Sequence, residues 1–135
     1  MGFIEAVKIC LSKYAQFNGR ASRPEFWYFF LFFFIYFFVA GFLLGMVAVS
    51  DEVFGLATLV LIIPIFIPSI AVAARRLHDI NQSGWMQCIF IPGFFADELL
   101  GTGWVIYILT FALYAFWFSQ ATKKGKNRFG AQPRK

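Results

Sequence analysis

Charge is scarce in this chain. Asp, Glu, Lys and Arg make up 14% of its 135 residues, against about 25% in an ordinary soluble domain. The hydrophobic share is 60%, where soluble domains run at roughly 45–50%. That balance excludes intrinsic disorder, which needs low hydrophobicity and high charge. It also argues against a free soluble domain, because a chain this short has much surface to cover and few polar residues to cover it with. Histidine occurs once, and the two cysteines, Cys10 and Cys88, form no CxxC and no Cys/His spacing. No metal site, cofactor or structural disulfide is therefore expected, and both thiols read as buried and inert. A cleaved signal peptide is not expected either, since the first long apolar run begins only at Phe26 and far exceeds an h-region. The chain reads as a single polytopic membrane domain whose solvent is lipid.

What is abundant is phenylalanine, 20 residues of it, gathered in uncharged runs. Residues 3–17 precede those runs as an amphipathic helix. Phe3, Val7, Cys10, Tyr14 and Phe17 recur at steps of four and three, widened by Ile4 and Leu11, with Lys8 and Lys13 opposite. Such a segment can lie in the membrane interface or pack on the end of a bundle. Asn18-Gly19 breaks it. Pro24 suits a first helical turn, where a missing N–H costs nothing, and Glu25 suits the positive end of the dipole.

Residues 26–49 carry no charge. At 1.5 Å per residue they reach about 36 Å, enough for the roughly 30 Å hydrocarbon core. Trp27 and Tyr28 suit an interfacial belt, and Gly41 and Gly45 form a GxxxG expected to pack within the chain. Residues 53–74 give a second span containing Pro64 and Pro68, where a kink is expected. The remaining apolar sequence is interrupted by Asp97 and Glu98. It reads as a short third span, 84–100, and a fourth, 103–118, with three spans as the alternative. Residues 119–135 read as an exposed basic tail. The expected fold is thus an all-α transmembrane bundle, four spans favoured, with an N-terminal interfacial helix.

The basic residues orient this bundle. Twelve Lys and Arg outnumber seven Asp and Glu, a formal +5. Four precede span one, two (Arg75, Arg76) follow span two, and six end the chain. Four spans put all twelve on one side and leave only Asp51, Glu52, Asp97 and Glu98 in the outer loops. The positive-inside rule then sets both termini in the cytoplasm, and the positive excess reports topology and anionic lipid rather than nucleic acid.

This topology gathers Arg20, Arg23 and Glu25, then Arg75, Arg76, His78 and Asp79, then Arg128 on one membrane face. If the second helix continues past Ala74, Arg75 and Arg76 lie within one turn of Asp79. Glu25 and Asp79 are expected to form structural ion pairs with these arginines. The same arginines could instead recognise a phosphate, with a lipid headgroup as the natural bearer. His78 beside Asp79 invites a general-base reading, but neither Ser22 nor Ser83 sits in a nucleophile motif. An interaction protein without catalysis is favoured. An oligomeric transporter or channel, with Thr58, Ser69 or Thr110 lining a path, is the alternative, and an enzyme acting on a lipid or phosphate the second. A homo-oligomer is compatible with the first two.

Three ordered motifs resemble the DUF805 family of small bacterial inner-membrane proteins: Phe17-Asn18-Gly19-Arg20-Ala21-Ser22-Arg23-Pro24-Glu25-Phe26-Trp27, then Ala74-Arg75-Arg76-Leu77-His78-Asp79 with Ser83-Gly84-Trp85, then Asn127-Arg128-Phe129-Gly130 with Pro133. Met86 stands where the family's motif usually continues with a second aromatic. The resemblance implies a location in the bacterial cytoplasmic membrane and supplies no settled activity.

Overall fold

The computed structural model describes residues 1–47, 50–90 and 103–133. Among these the chain is helical and contains no strand. It comprises α1 (Phe3–Ser12), α2 (Arg23–Met46), α3 (Asp51–Asp79), a 3₁₀ helix (Gly84–Phe90) and α4 (Gly103–Ser119). Two compact units are formed. The first is Met1–Gln16 with Pro24–Val72, and the second is Phe17–Arg23 with Ala73–Lys135.

In the first unit, α1 starts where the Glu5 carboxylate reaches back to the Gly2 N–H at 3.2 Å and the Gly2 carbonyl accepts from Ala6 at 3.0 Å. It ends at Ser12, short of the expected residue 17. The Ser12 hydroxyl donates to the Ile9 carbonyl (2.9 Å), and Lys13 leaves the helical region for a turn. The helix buries Ala6 and Cys10 and leaves Ile4, Leu11 and Tyr14 exposed. Cys10 Sγ lies 3.9 Å from the Glu25 carboxylate, and Phe3 meets Tyr28 edge-on at 6.1 Å.

Helix α2 begins earlier than the charge-free run because Pro24 fits its first turn, with Glu25 beside it. Phenylalanines four apart touch along it, Phe26 with Phe30 and Phe30 with Phe34. Phe38, Phe42 and Leu43 stand exposed, as lipid contact requires. Around Gly41 and Gly45 the described residues leave open space. A Cβ at either position would meet nothing within 4 Å.

Helix α3 has 29 residues, about 44 Å of rise, which exceeds the hydrocarbon thickness. Pro64 and Pro68 lie inside it and neither ends it. Tyr36 on α2 donates to the Leu61 carbonyl at 3.0 Å. The three hydroxyls that could have lined a path turn to their own helices. Thr58 donates to Phe54, Ser69 to Ile65 and Thr110 to Ile106, at 2.8, 2.7 and 2.8 Å. This is how an isolated hydroxyl satisfies itself away from water. Among the described residues two helices, α2 and α3, are long and apolar enough to cross a membrane; α4 is shorter. Of the expected third span, residues 84–90 form the 3₁₀ helix, and the rest, including Asp97 and Glu98, lies outside the described residues.

Candidate functional site

The second unit is organised around the last two turns of α3. Every residue from Ala73 to Ile80 is buried, among them Arg75, Arg76, His78 and Asp79. The helix runs past Ala74, where the charge-free stretch stops, because its polar end is wrapped rather than exposed.

The end of α3 is itself well specified. Asn81 adopts φ 67°, the left-handed conformation that closes helices. Its N–H bonds the His78 carbonyl (3.0 Å), and the Gln82 N–H bonds the Leu77 carbonyl (2.9 Å). These are the paired bonds of a Schellman motif, and they satisfy carbonyls that a helix end otherwise leaves orphaned. The Arg75 carbonyl accepts from the Ala21 N–H at 3.0 Å, fixing the segment that carries Arg20.

Asp79 is shared by two arginines. Arg20 Nη2 lies 2.8 Å from one carboxylate oxygen, with both side chains fully buried, and Arg20 Nε donates to the same oxygen at 2.9 Å. Arg76 donates to the other oxygen. Each guanidinium has further donors, and backbone carbonyls take them. Arg76 Nε bonds the Phe118 carbonyl (3.1 Å), and its Nη2 bonds that of Gln120. A cation thus caps the negative end of α4. Arg20 bonds the Gly125 carbonyl at 2.6 Å and that of Gly130 at 3.3 Å, and also that of Lys123. One carboxylate and two guanidinium forks therefore join residues 20, 76–79 and 118–130. Burial of charge is costly, and it is tolerated when the ions are paired and their remaining donors are satisfied.

Residues 120–133 are consequently tied to this cluster, with Lys123, Lys124, Lys126 and Arg128 exposed. Asn127 and Gly130 exchange backbone bonds of 3.0 and 3.1 Å around a tight turn, and Asn127 Oδ1 accepts from the Phe129 N–H. Gly125 (φ 77°) and Gly130 (φ 127°) hold conformations that other residues adopt at a cost. Asn127 Nδ2 donates to the His78 carbonyl at 2.8 Å. Phe129 stacks on the His78 ring, with centroids 3.9 Å apart and planes 6° apart. Arg128 covers the other side of Phe129, 4.7 Å from its centroid, and bonds the Asn81 carbonyl at 3.1 Å.

His78 is held on several sides. Its Nδ1 lies 3.1 Å from the Gly19 carbonyl. A carbonyl can only accept, so Nδ1 carries the proton. Gly84 approaches so closely that an added Cβ would stand 2.9 Å from Ala74 Cβ and 3.2 Å from His78 Nε2. The ring fills a slot between the 3₁₀ helix and the tail turn.

Of the residues singled out from sequence, the structure brings together Arg20, Arg75, Arg76, His78, Asp79 and Arg128 in the second unit. Arg23 is exposed, and Glu25 is buried in the first unit beside Cys10. Sequence reasoning quoted Gly84, Phe129 and Gly130 within motifs but gave them no role, and it did not single out Lys123 or Gly125, whose carbonyls Arg20 binds. Among the described residues no three His, Cys, Asp or Glu side chains are grouped to hold a metal.

Comparison with known proteins gives a consistent picture. A family model described as "protein of unknown function (DUF805)" matches residues 14–131. Inner membrane protein YhaH of Escherichia coli is 37% identical over 127 residues, covering 92% of each chain. Inner membrane protein YhaI of the same organism is 30% identical over 129 residues, covering 92% of this chain and 91% of its own. No solved structure matches. The segments that build the Arg20–Asp79–Arg76 cluster lie inside the matched region, and the chain belongs to the DUF805 family of bacterial inner-membrane proteins.

Proposed function

We propose that this chain is a non-enzymatic, multi-span inner-membrane protein that acts by interaction, recognising anionic lipid headgroups at a cytoplasmic polar end. Four spans place both termini in the cytoplasm, and Arg20, Asp79 and Arg76 lock the helix ends there. The observation that carries this reading is charge. The described residues of the second unit hold eight Lys and Arg against one carboxylate, Asp79. The carbonyls around Arg20 and Arg76 satisfy hydrogen bonds but neutralise nothing, so the unit keeps a strong positive field. His78 supports the non-enzymatic part, because Phe129 covers its ring and Nδ1 is engaged by Gly19.

Native mass spectrometry of the protein released from bacterial membranes tests the reading. Retention of phosphatidylglycerol or cardiolipin in preference to phosphatidylethanolamine is expected, and equal or no retention overturns it. A fluorescent-protein reporter fused after Lys135 is expected to fluoresce, as it does only on the cytoplasmic side. Activity of a phosphatase reporter at that position would overturn the topology.

A further inference from the structure

The arginines that the sequence marks out are mostly enclosed, so they are poor contacts for a headgroup. Arg20, Arg75 and Arg76 are at most 6% exposed. Apart from Arg23, the exposed cations among the second unit's described residues lie in the tail. Lys123, Lys124, Lys126 and Arg128 all point outward from residues 120–133. Such lysines normally belong to a mobile tail, where binding an anionic surface must first order the chain.

Here the backbone beneath them is already fixed. Arg20 grips the carbonyls of Lys123, Gly125 and Gly130. Asn127 is tied to the His78 carbonyl and Phe129 to the His78 ring. Ser119, the last residue of the apolar helix α4, precedes Lys123 by only a short connection. Residues this close to the end of an apolar helix sit at headgroup depth. In the same unit Trp85 is 82% exposed, and an exposed tryptophan suits the membrane interface.

We propose that Lys123, Lys124 and Lys126, with Arg128, form a preorganised platform for the anionic headgroup layer of the cytoplasmic leaflet. Arg20 is its positioning residue. This rests on the anionic-lipid reading above and deepens it by separating the residues that touch lipid from those that hold them in place. Preorganisation raises affinity by removing the cost of ordering the binding segment. Each juxtamembrane Lys or Arg near an anionic surface contributes about fivefold in affinity. Three lysines acting together are therefore worth about 100-fold at low salt, less as screening rises.

The test uses the full chain in nanodiscs containing a small fraction of pyrene-labelled phosphatidylglycerol or pyrene-labelled phosphatidylethanolamine. Energy transfer from the protein's tryptophans reads local enrichment of each lipid. The wild-type chain is expected to enrich phosphatidylglycerol, and salt should weaken the effect. The triple variant K123Q/K124Q/K126Q should lose most of that selectivity, tenfold or more, with its melting temperature unchanged. Arg20→Lys keeps a charge but cannot donate to three carbonyls at once. It should lose selectivity too, with faster amide exchange over residues 123–130. A selective wild type whose triple variant is equally selective overturns the platform. A selective Arg20→Lys variant whose tail exchange has become fast overturns the positioning role. A wild type with no selectivity overturns the underlying lipid reading itself.

Discussion

The two units of this protein solve opposite solvation problems. The first exposes Phe38, Val60 and Met46 at 75%, 69% and 69%, and among its charged residues only Glu25 is buried. The second encloses Arg20, Arg75, Arg76, His78 and Asp79. In lipid an exposed phenylalanine costs nothing, and among the described residues the first unit shows the buried Ala6 and Cys10, ring contacts, the Cys10–Glu25 contact and the Tyr36 hydrogen bond. The second unit is built where two guanidiniums and a carboxylate must satisfy one another. Stability in the first is spread over many weak contacts. In the second it is concentrated in a few groups that fail together.

Substitutions sharpen this contrast. The largest effect is expected for Asp79→Ala, which strands Arg20 and Arg76 without their shared carboxylate. Removing one partner of a buried ion pair costs about 3–5 kcal/mol, to be read as a large fall in the thermal midpoint of the detergent-solubilised protein. The equivalent change at Asp51, exposed in the first turn of α3, removes only a favourable dipole contact of about 0.3–1 kcal/mol. Equal losses at the two positions would erase the distinction between the units.

Gly84→Ala comes next. The new methyl meets Ala74 Cβ, a backbone-anchored atom that cannot swing aside, and overpacking of this kind costs about 1–3 kcal/mol. Phe129→Ala should cost about 0.5–1.5 kcal/mol beyond its lost burial, from the stack on His78. Hydrogen exchange should show protection falling at residues 123–130 while α2 is unaffected. The smallest effect is expected in the first unit. Gly41→Ala finds open space, and gains about 1 kcal/mol from helix propensity. Loss of stability there in a chemical-denaturation series would mean that Gly41 packs against something after all.

How much of this was legible in the sequence depends on whether side chains or backbone carry the role. The runs that became α2 and most of α3 were plain, because a bilayer admits few charges and the sequence obeys. The register of Asp79 against Arg76 follows from helix spacing, since the acid lies one turn on. The persistence of α3 to Asp79 was harder to see. Arg75 and Arg76 look like the end of a span, and only Asn81, able to adopt φ 67°, hints at where the helix stops. The folded tail was invisible for a simple reason. Arg20 binds carbonyl oxygens, which every residue possesses, so no side-chain pattern announces Lys123 as a partner. The motif Asn127-Arg128-Phe129-Gly130 marks the segment, and with Gly125 it hints at a turn, but neither says what the turn is held against. Gly84 could be noticed as part of Ser83-Gly84-Trp85, but its steric purpose needs the distance to Ala74.

The grip of Arg20 on the tail also imposes an order on biosynthesis. Its partners lie 59 residues ahead at Asp79 and 103 to 110 residues ahead at Lys123, Gly125 and Gly130. Contacts of such long range close large loops and form late. As the chain is made, α2 and α3 can enter the bilayer long before residue 130 leaves the ribosome. Before then Asp79 is within reach of Arg20, and only the donors meant for the tail carbonyls wait on water. Translation of residues 123–130 supplies the last partners, so the tail closes onto an ion-paired cluster whose side chains are already made.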